Sequence, residues 1–349
     1  MSDFVIDSDG VLTEYLGEGG EVVIPDGVRV IGDSAFRNCE SILSLVISDT
    51  VESIEYAAFA CCKNLKKAVI GIGVRSIGEF AFHGCSNLSR VALGKNVLTI
   101  GDEAFGNCKN MKRVYYSGSD DEFDAIDIGA DNDALIYTDI YCNVILDGDF
   151  VIGDGYYLIR YDDEEAETLV LPACVSELSL GVFMNCKKLI YIDVDPKSES
   201  FCSIDGDLYS KDGKTFVCRA PHKFSVVVKL PEQITKIDNY SFYRVLGMVH
   251  VVVPKNVEYI GDMAFYGNTP MAVIELPKSI KYIGSEAFQY TYLKRIYYMG
   301  TESDWKKVKI AGGNSRFNSA AVYYYSETKP EAEGNYWYSD GEKGVAWEK

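Results

Sequence analysis

The sequence predicts a right-handed α/β solenoid, a superhelix of parallel β-sheet and short helices built on repeats of 23 residues. Three observations predict it. The phrase IGDEAFGNC at 100 to 108 recurs as IGDSAFRNC at 31 to 39, IGEFAFHGC at 77 to 85 and IGDMAFYGN at 260 to 268. Phe36, Phe59, Phe82 and Phe105 fall at intervals of 23 residues, and Phe242, Phe265 and Phe288 repeat that interval. Each interval also carries a short alternating apolar run, the mark of a strand. A fixed period in this range signals stacked units that share one continuous core.

Each position of the phrase has a conformational use. The glycine four residues before the phenylalanine (Gly32, Gly78, Gly101, Gly261, Gly284) marks a corner that needs either a positive φ or a close backbone approach. The acidic residue after it (Asp33, Glu79, Asp102, Asp262) suits the start of a short helix. Two residues past the phenylalanine, Asn38, Gly84, Asn107, Asn185 and Gly267 are types that tolerate a left-handed turn as that helix ends.

A longer duplication overlies the period. FVIDSDGVLTEYLGEGGEVVIP (4 to 25) returns as FVIGDGYYLIRYDDEEAETLVLP (150 to 172), offset by 146 residues. YYSGSDDEFDAIDIGADNDALIYTDIY (115 to 141) returns as YYMGTESDWKKVKIAGGNSRFNSAAVY (297 to 323), offset by 182. The difference of 36 matches residues 195–230, where LYSKDGKTFV predicts a β-hairpin turning on Asp212-Gly213. The expected organisation is therefore a first module over 1–145 with N-terminal cap and exit segment, a second over 146–325 with the hairpin insertion at 195–230, and a C-terminal tail over 326–349.

The phrase, together with the LP or VP pairs that close several strands (Leu171-Pro172, Leu230-Pro231, Val253-Pro254, Leu276-Pro277), resembles the bacterial BspA-like, or Treponema-type, leucine-rich repeat family. The resemblance covers roughly residues 20 to 325. The exit segments, with Phe123 or Trp305 after YYxG, the hairpin SIDGDLYSKDGKT and the tail GNYWYSDGEKGVAW also look like accessory pieces of that family. It implies a leucine-rich-repeat solenoid and a surface or secreted adhesion and recognition protein, hence an extracellular or cell-surface address. The N-terminus MSDFVIDSDG has neither the basic start nor the apolar stretch of an export signal, which makes the cytoplasm the alternative.

Composition narrows the activity. With 52 acidic against 34 basic residues, a formal charge of -18 repels phosphate backbones and anionic lipid, so nucleic acid and membrane insertion are not expected partners. Cys39, Cys62, Cys85 and Cys108 step by the period, with Cys186 equivalent in the second module and Leu246 or Asn268 read as later replacements. A slot that accepts such swaps suits buried, reduced thiols better than disulfides, metal or a nucleophile. No CxxC or HExxH occurs, and His83, His222 and His250 sit in unrelated contexts. The acidic turns DSDG (7 to 10), DGD (147 to 149) and DGD (205 to 207) stop short of a full calcium loop. GIGVRSIG (71 to 78) lacks both the dinucleotide spacing and a Walker lysine. No catalytic, cofactor-binding or metal residues are assigned, and no cofactor is expected.

Strand alternation picks out the candidate binding residues. Positions nine and eleven after each phenylalanine are apolar and inward, so positions eight and ten face outward. The outward set includes a basic stripe of Lys67, Arg90 and Arg113 beside a column of Val46, Val69, Ala92 and Tyr115, with Tyr191, His250, Arg295 and Tyr297 in the second module. Such a face suits a protein or carbohydrate ligand. The leading reading is a non-catalytic binding or adhesion protein. A self-associating scaffold built on the tyrosine-rich exit segments and tail is the alternative, and an enzyme with a site near the hairpin insertion is the third.

Overall fold

The structure, a computed structural model, describes residues 3–331, 334–339 and 344–347. The chain forms two compact units, Met1–Gly148 and Asp149–Lys349. Both are β-solenoids whose turns contribute one two-residue strand and one longer strand.

In the first unit the antiparallel pair Phe4–Ile6 and Val11–Tyr15 starts the sheet of short strands. Val30–Ile31, Ser53–Ile54, Ser76–Ile77, Thr99–Ile100 and Asp127–Ile128 then add in parallel. The sheet of longer strands runs Gly20–Val23, Ile42–Ile47, Lys67–Ile70, Arg90–Leu93, Arg113–Tyr116 and Asp139–Tyr141, all parallel. In the second unit the duplicated entry again forms a hairpin, Phe150–Gly153 with Tyr157–Tyr161, and Glu177–Leu178 adds to it in parallel. Residues 195–230 then interrupt both sheets. Phe201–Ile204, Asp207–Ser210 and Thr215–Cys218 form an antiparallel meander, and the second hairpin turns at Asp212-Gly213, where Gly213 has φ +68°. Thr215–Cys218 restarts the parallel short-strand ladder with Lys236–Ile237.

The core is a column of aromatic rings. Tyr15, Phe36, Phe59, Phe82 and Phe105 stack at 4.7 to 5.1 Å, and Phe216, Phe242, Phe265, Phe288 and Phe317 at 4.5 to 5.1 Å. The offset geometry suits rings that repeat at the strand spacing. Tyr15, Phe216 and Phe317 extend the columns beyond the Ala-Phe pairs.

The short helix expected after each Ile-Gly does not form. Residues two before the phenylalanine (Ser34, Ala57, Phe80, Glu103, Tyr240, Met263, Glu286) have φ between 50° and 57°, and most of those two after it are also left-handed. Asn185 is not. Two left-handed residues within five end any α-helix. They turn the backbone N–H groups along the stack, so that Phe36, Phe59 and Phe82 donate to Ala58, Ala81 and Ala104 carbonyls at 2.7 Å. Left-handed backbone costs roughly 1–2 kcal/mol at each such residue, and this inter-turn ladder offsets the cost.

The acidic residue caps that ladder instead of a helix: Asp102 Oδ1 accepts from Ala130 N at 2.7 Å, and Asp262 Oδ1 from Ser285 N at 2.7 Å. The preceding glycine is fixed by close approach, not by a positive φ. A Cβ on Gly101 would stand 2.6 Å from Glu79 N, and one on Gly284 2.5 Å from Asp262 N.

Among the described residues the α-helices are confined to the two exit segments. Asp120–Asp124 and Glu302–Trp305 each start with a capping box, Ser119 with Glu122 and Thr301 with Asp304, related by the offset of 182. The helices Asp133–Ile136 and Ser315–Ser319 follow Asn132 and Asn314, each only 1% exposed. Asn132 Oδ1 accepts from Phe105 N at 2.9 Å, and its Nδ2 donates to Gly101 O at 2.9 Å. Asn314 does the same with Phe288 N at 3.1 Å and Gly284 O at 2.8 Å. One side-chain amide thus closes the turn ladder where the repeats end.

The cysteine slot is a donor position. Cys62, Cys85 and Cys108 Sγ donate to the carbonyls of Phe36, Phe59 and Phe82 at 3.1 to 3.2 Å. Asn268 keeps the bond, to Phe242 O at 2.7 Å. In the turn of Phe242 the slot belongs to buried Val245, and the expected Leu246 lies outside it, half exposed. Burial pushes the Cys108 and Cys186 thiols up to about 12. The Cys85 thiol is raised too, by its contact with the Cys62 thiol and then by burial. All ten cysteines are free, and Cys174 is exposed. Alkylation of the native protein without reductant is therefore expected to label Cys174 quickly, and Cys62, Cys85, Cys108 and Cys186 only after denaturation, since the thiolate is the reactive form. Peptide mapping checks this. Unlabelled cysteines after denaturation would mean disulfides.

Candidate functional site

The candidate site is the outer face of the longer-strand sheet. The inward residues fall as the alternation requires: Leu45, Ile47, Ala68, Ile70, Val91, Leu93, Val114, Tyr116 and Ile192 are at most 2% exposed. On the outer side of the first unit, Lys67 pairs with Arg90 and Arg90 with Arg113 in consecutive parallel strands. Parallel register therefore places three cations on adjacent rungs, each half-buried. The row continues to Ser44, which is buried, on one side and to Asp139 on the other.

The neighbouring column runs Val23, Val46, Val69, Ala92, Tyr115 and Tyr141 by the same register. Val23 is 60% exposed and Val46 38%, whereas Tyr115 is 1% exposed. Tyr115 packs 5.5 Å from Tyr141, and the strand Val144–Asp147 lies by it, so that Val144, Ile145 and Leu146 enclose with Val69, Ala92 and Tyr115 a hollow of 150 Å³. Tyr115 is thus no contact residue in this structure. Val23, which the counting from Phe36 onward left out, opens the column instead.

In the second unit the predicted residues are dispersed. Tyr191 is 41% exposed on the strand Tyr191–Val194, its ring against the hairpin glycine Gly206, where a Cβ would come within 2.3 Å. His250, Val273 and Arg295 occupy one registered row, and Arg295 is exposed. His250 Nε2 lies 2.9 Å from Glu275 Oε1, and that oxygen accepts from Gly344 N at 2.7 Å.

That last bond belongs to the C-terminal tail. Tyr336–Ser339 joins the sheet parallel to Ala321–Tyr325, and Gly344–Ala346 returns antiparallel to it. Trp337 is 1% exposed, packs 5.2 Å from Tyr297 and donates from Nε1 to Tyr298 O at 3.0 Å. Tyr297 is consequently 3% exposed, a second correction to the expected binding set. Neither tyrosine could be excluded from sequence, because the segments that cover them are not repeats. The more accessible face is thus Lys67, Arg90 and Arg113 with Val23 and Val46 in the first unit, and Arg295 with part of Tyr191 in the second.

Among the described residues no group of three or more His, Cys, Asp or Glu side chains could hold a metal ion. The acidic turn at Asp7 and the hairpin turn at Asp212 use their carboxylates locally: Asp7 Oδ1 accepts from Asp9 N and Val11 N at 2.9 Å, and Asp212 Oδ1 from Lys214 N at 3.0 Å. No described helix is long and apolar enough to cross a membrane.

A sequence profile described as BspA type leucine rich repeat region matches residues 18–125 and 223–308 in six copies, more than half of the chain. The chain belongs to the BspA-type leucine-rich repeat family. No curated protein matches it. Among solved structures, this BspA-type chain is similar to a leucine-rich repeat protein from Eubacterium ventriosum, at 18% identity over 93% of this chain and 76% of that one, with a TM-score of 0.44. It is also similar to the pneumococcal vaccine antigen PcpA, at 18% identity over 93% and 94% with a TM-score of 0.40. A leucine rich cell surface protein from Faecalibacterium prausnitzii matches at 20% identity over 88% and 95%, with a TM-score of 0.36. The BspA-type profile leaves residues 126–222 unmatched, a stretch that holds the second entry hairpin and the first part of the insertion.

Proposed function

We propose that the chain is a non-catalytic binding protein of the adhesion type, acting at the bacterial surface, that presents the open strip of its first-unit sheet to a protein or glycan partner. The registered row Lys67, Arg90 and Arg113, beside the exposed valines Val23 and Val46, carries this reading. A cationic row on a chain of net charge -18 favours an acidic partner by electrostatic complementarity. Adjacent apolar surface adds the desolvated contact in which interface anchors cluster. Family membership supports it as well, since leucine-rich repeats generally mediate protein binding and the family is generally non-enzymatic.

Charge reversal tests the strip. Arg90→Glu combined with Arg113→Glu is expected to weaken capture of acidic protein or glycan probes at least tenfold, because arginine anchors each contribute roughly 1–2 kcal/mol or more. The melting temperature should stay near that of the parent, as for surface substitutions generally. Capture that survives both reversals would move binding off this strip.

A further inference from the structure

Between Phe183 and Phe242 the backbone ladder of the corners is interrupted, although Phe216 continues the ring column from Phe242. Elsewhere the N–H two residues before the phenylalanine and the phenylalanine N–H donate to the next turn, as Tyr240 does to Asp262 O at 3.0 Å and Phe242 to Ala264 O at 2.7 Å. Gly181 and Phe183 stand in those same positions, with Gly181 in the same left-handed conformation at φ +63°. Among the described residues neither donates to a backbone carbonyl. The strand that leads into this turn, Glu177–Leu178, pairs with Tyr157–Tyr161 on one side and is the free edge of its sheet on the other.

The opposite wall has the matching vacancies. In the first unit Tyr56 O and Ala60 O accept from Ser34 and Asn38 of the preceding turn. Among the described residues their counterparts, the carbonyls of Asn239 and Tyr243, accept no backbone N–H, whereas Ser241 O accepts from Arg219 N at 2.9 Å. The insertion contributes Phe201, Val217, Cys218, Arg219 and Pro221 to the same place.

What remains is a cleft of about 340 Å³, lined on one wall by residues 176–184 and on the other by Asp238, Asn239, Tyr240 and Tyr243. That volume lies within the range of ligand pockets, about 300–1,000 Å³. An edge strand with unused donors takes an extended chain as its missing neighbour. Of the charges that line the cleft, Arg219 is held by buried Asp207 at 2.7 Å and Asp238 by Lys236 at 2.9 Å. Glu177 is exposed and has no ion-pair partner among the described residues. Leu180 and Met184, 63% and 53% exposed, add an apolar rim.

We infer that this cleft binds an extended peptide segment of a partner protein, with carbonyls on the Gly181 and Phe183 N–H groups, an apolar side chain against Leu180 and Met184, and a basic residue at Glu177. This site is separate from the cationic strip and its test does not depend on it.

Panning a phage-displayed library of linear heptapeptides on the full chain should enrich sequences that place Lys or Arg beside an apolar residue. A fluorescein-labelled peptide of the enriched sequence should slow hydrogen exchange across residues 176–184. Glu177→Lys and Leu180→Asp, both at exposed side chains, should each weaken its binding at least tenfold by anisotropy while the far-UV circular dichroism is unchanged. Arg90→Glu with Arg113→Glu should leave that affinity as it was. The inference is overturned if no peptide with Lys or Arg beside an apolar residue enriches, if protection falls outside 176–184, or if neither cleft variant weakens binding. Enrichment of a sequence from this chain itself would replace the partner with a second copy and overturn it equally.

Discussion

Phe265→Ala is expected to lower the stability of the second unit by about 3–5 kcal/mol, the cost of emptying a phenylalanine site in a well-packed core. The ring is fully buried and stacks between Phe242 at 4.8 Å and Phe288 at 5.1 Å, nearly parallel to both. The backbone around it is pinned by the ladder, with Phe265 N donating to Ala287 O at 2.8 Å, so the cavity has little freedom to close. In a stacked architecture each turn contacts only its neighbours, so the loss should also loosen the coupling of the turns on either side. Urea unfolding with hydrogen exchange checks both effects. Phe265→Leu, which keeps most of the volume, should recover more than half of the loss. A decrease below about 1 kcal/mol for the alanine variant would mean that the column is not the core.

Asn314→Ala is expected to cost about 3 kcal/mol, because it leaves Phe288 N–H and Gly284 O buried without partners at roughly 1–3 kcal/mol each. Both groups lie in the last turn before the exit segment, where no further repeat can supply a backbone partner. Asn314→Asp keeps the acceptor for Phe288 N but places a carboxylate against the carbonyls of Gly284 and Ala311, which now receive Nδ2 at 2.8 and 2.9 Å. It should therefore be at least as harmful as alanine near neutral pH, a result that loss of volume alone would not give. Asn132→Ala should cost less in the first unit, because it strips the partner from Phe105 N while Gly101 O still accepts from Ala104 N at 3.2 Å. Hydrogen exchange at the Phe288 and Phe105 amides reports each case, and unchanged protection there would refute the capping role.

Both asparagines were within reach of the sequence. The duplicated exit segments place Asn132 and Asn314 at the offset of 182 that also relates Phe123 to Trp305. Tyr15 and Tyr161 correspond in the same way at the offset of 146, and Tyr15 starts its ring column. The short helix fails to form for a different reason. An acidic residue followed by Ala-Phe and then Asn or Gly fits a capped helix, but the same residues also fit two left-handed corners. Local propensity does not separate these, since the deciding hydrogen bonds go to the next turn.

The sequence by itself determined the solenoid, its period and the inward column, because each follows from residue spacing that repeats. The tertiary structure alone decided which outward residues are open. Tyr115 and Tyr297 sit at positions equivalent to exposed ones, and are buried only because Val144–Asp147 and the tail around Trp337 pack near them. It alone also decided that the insertion leaves the Glu177–Leu178 edge unpaired. Periodicity encodes contacts between equivalent residues, whereas covering segments and a missing rung are long-range contacts, or their lack, between residues that share no period.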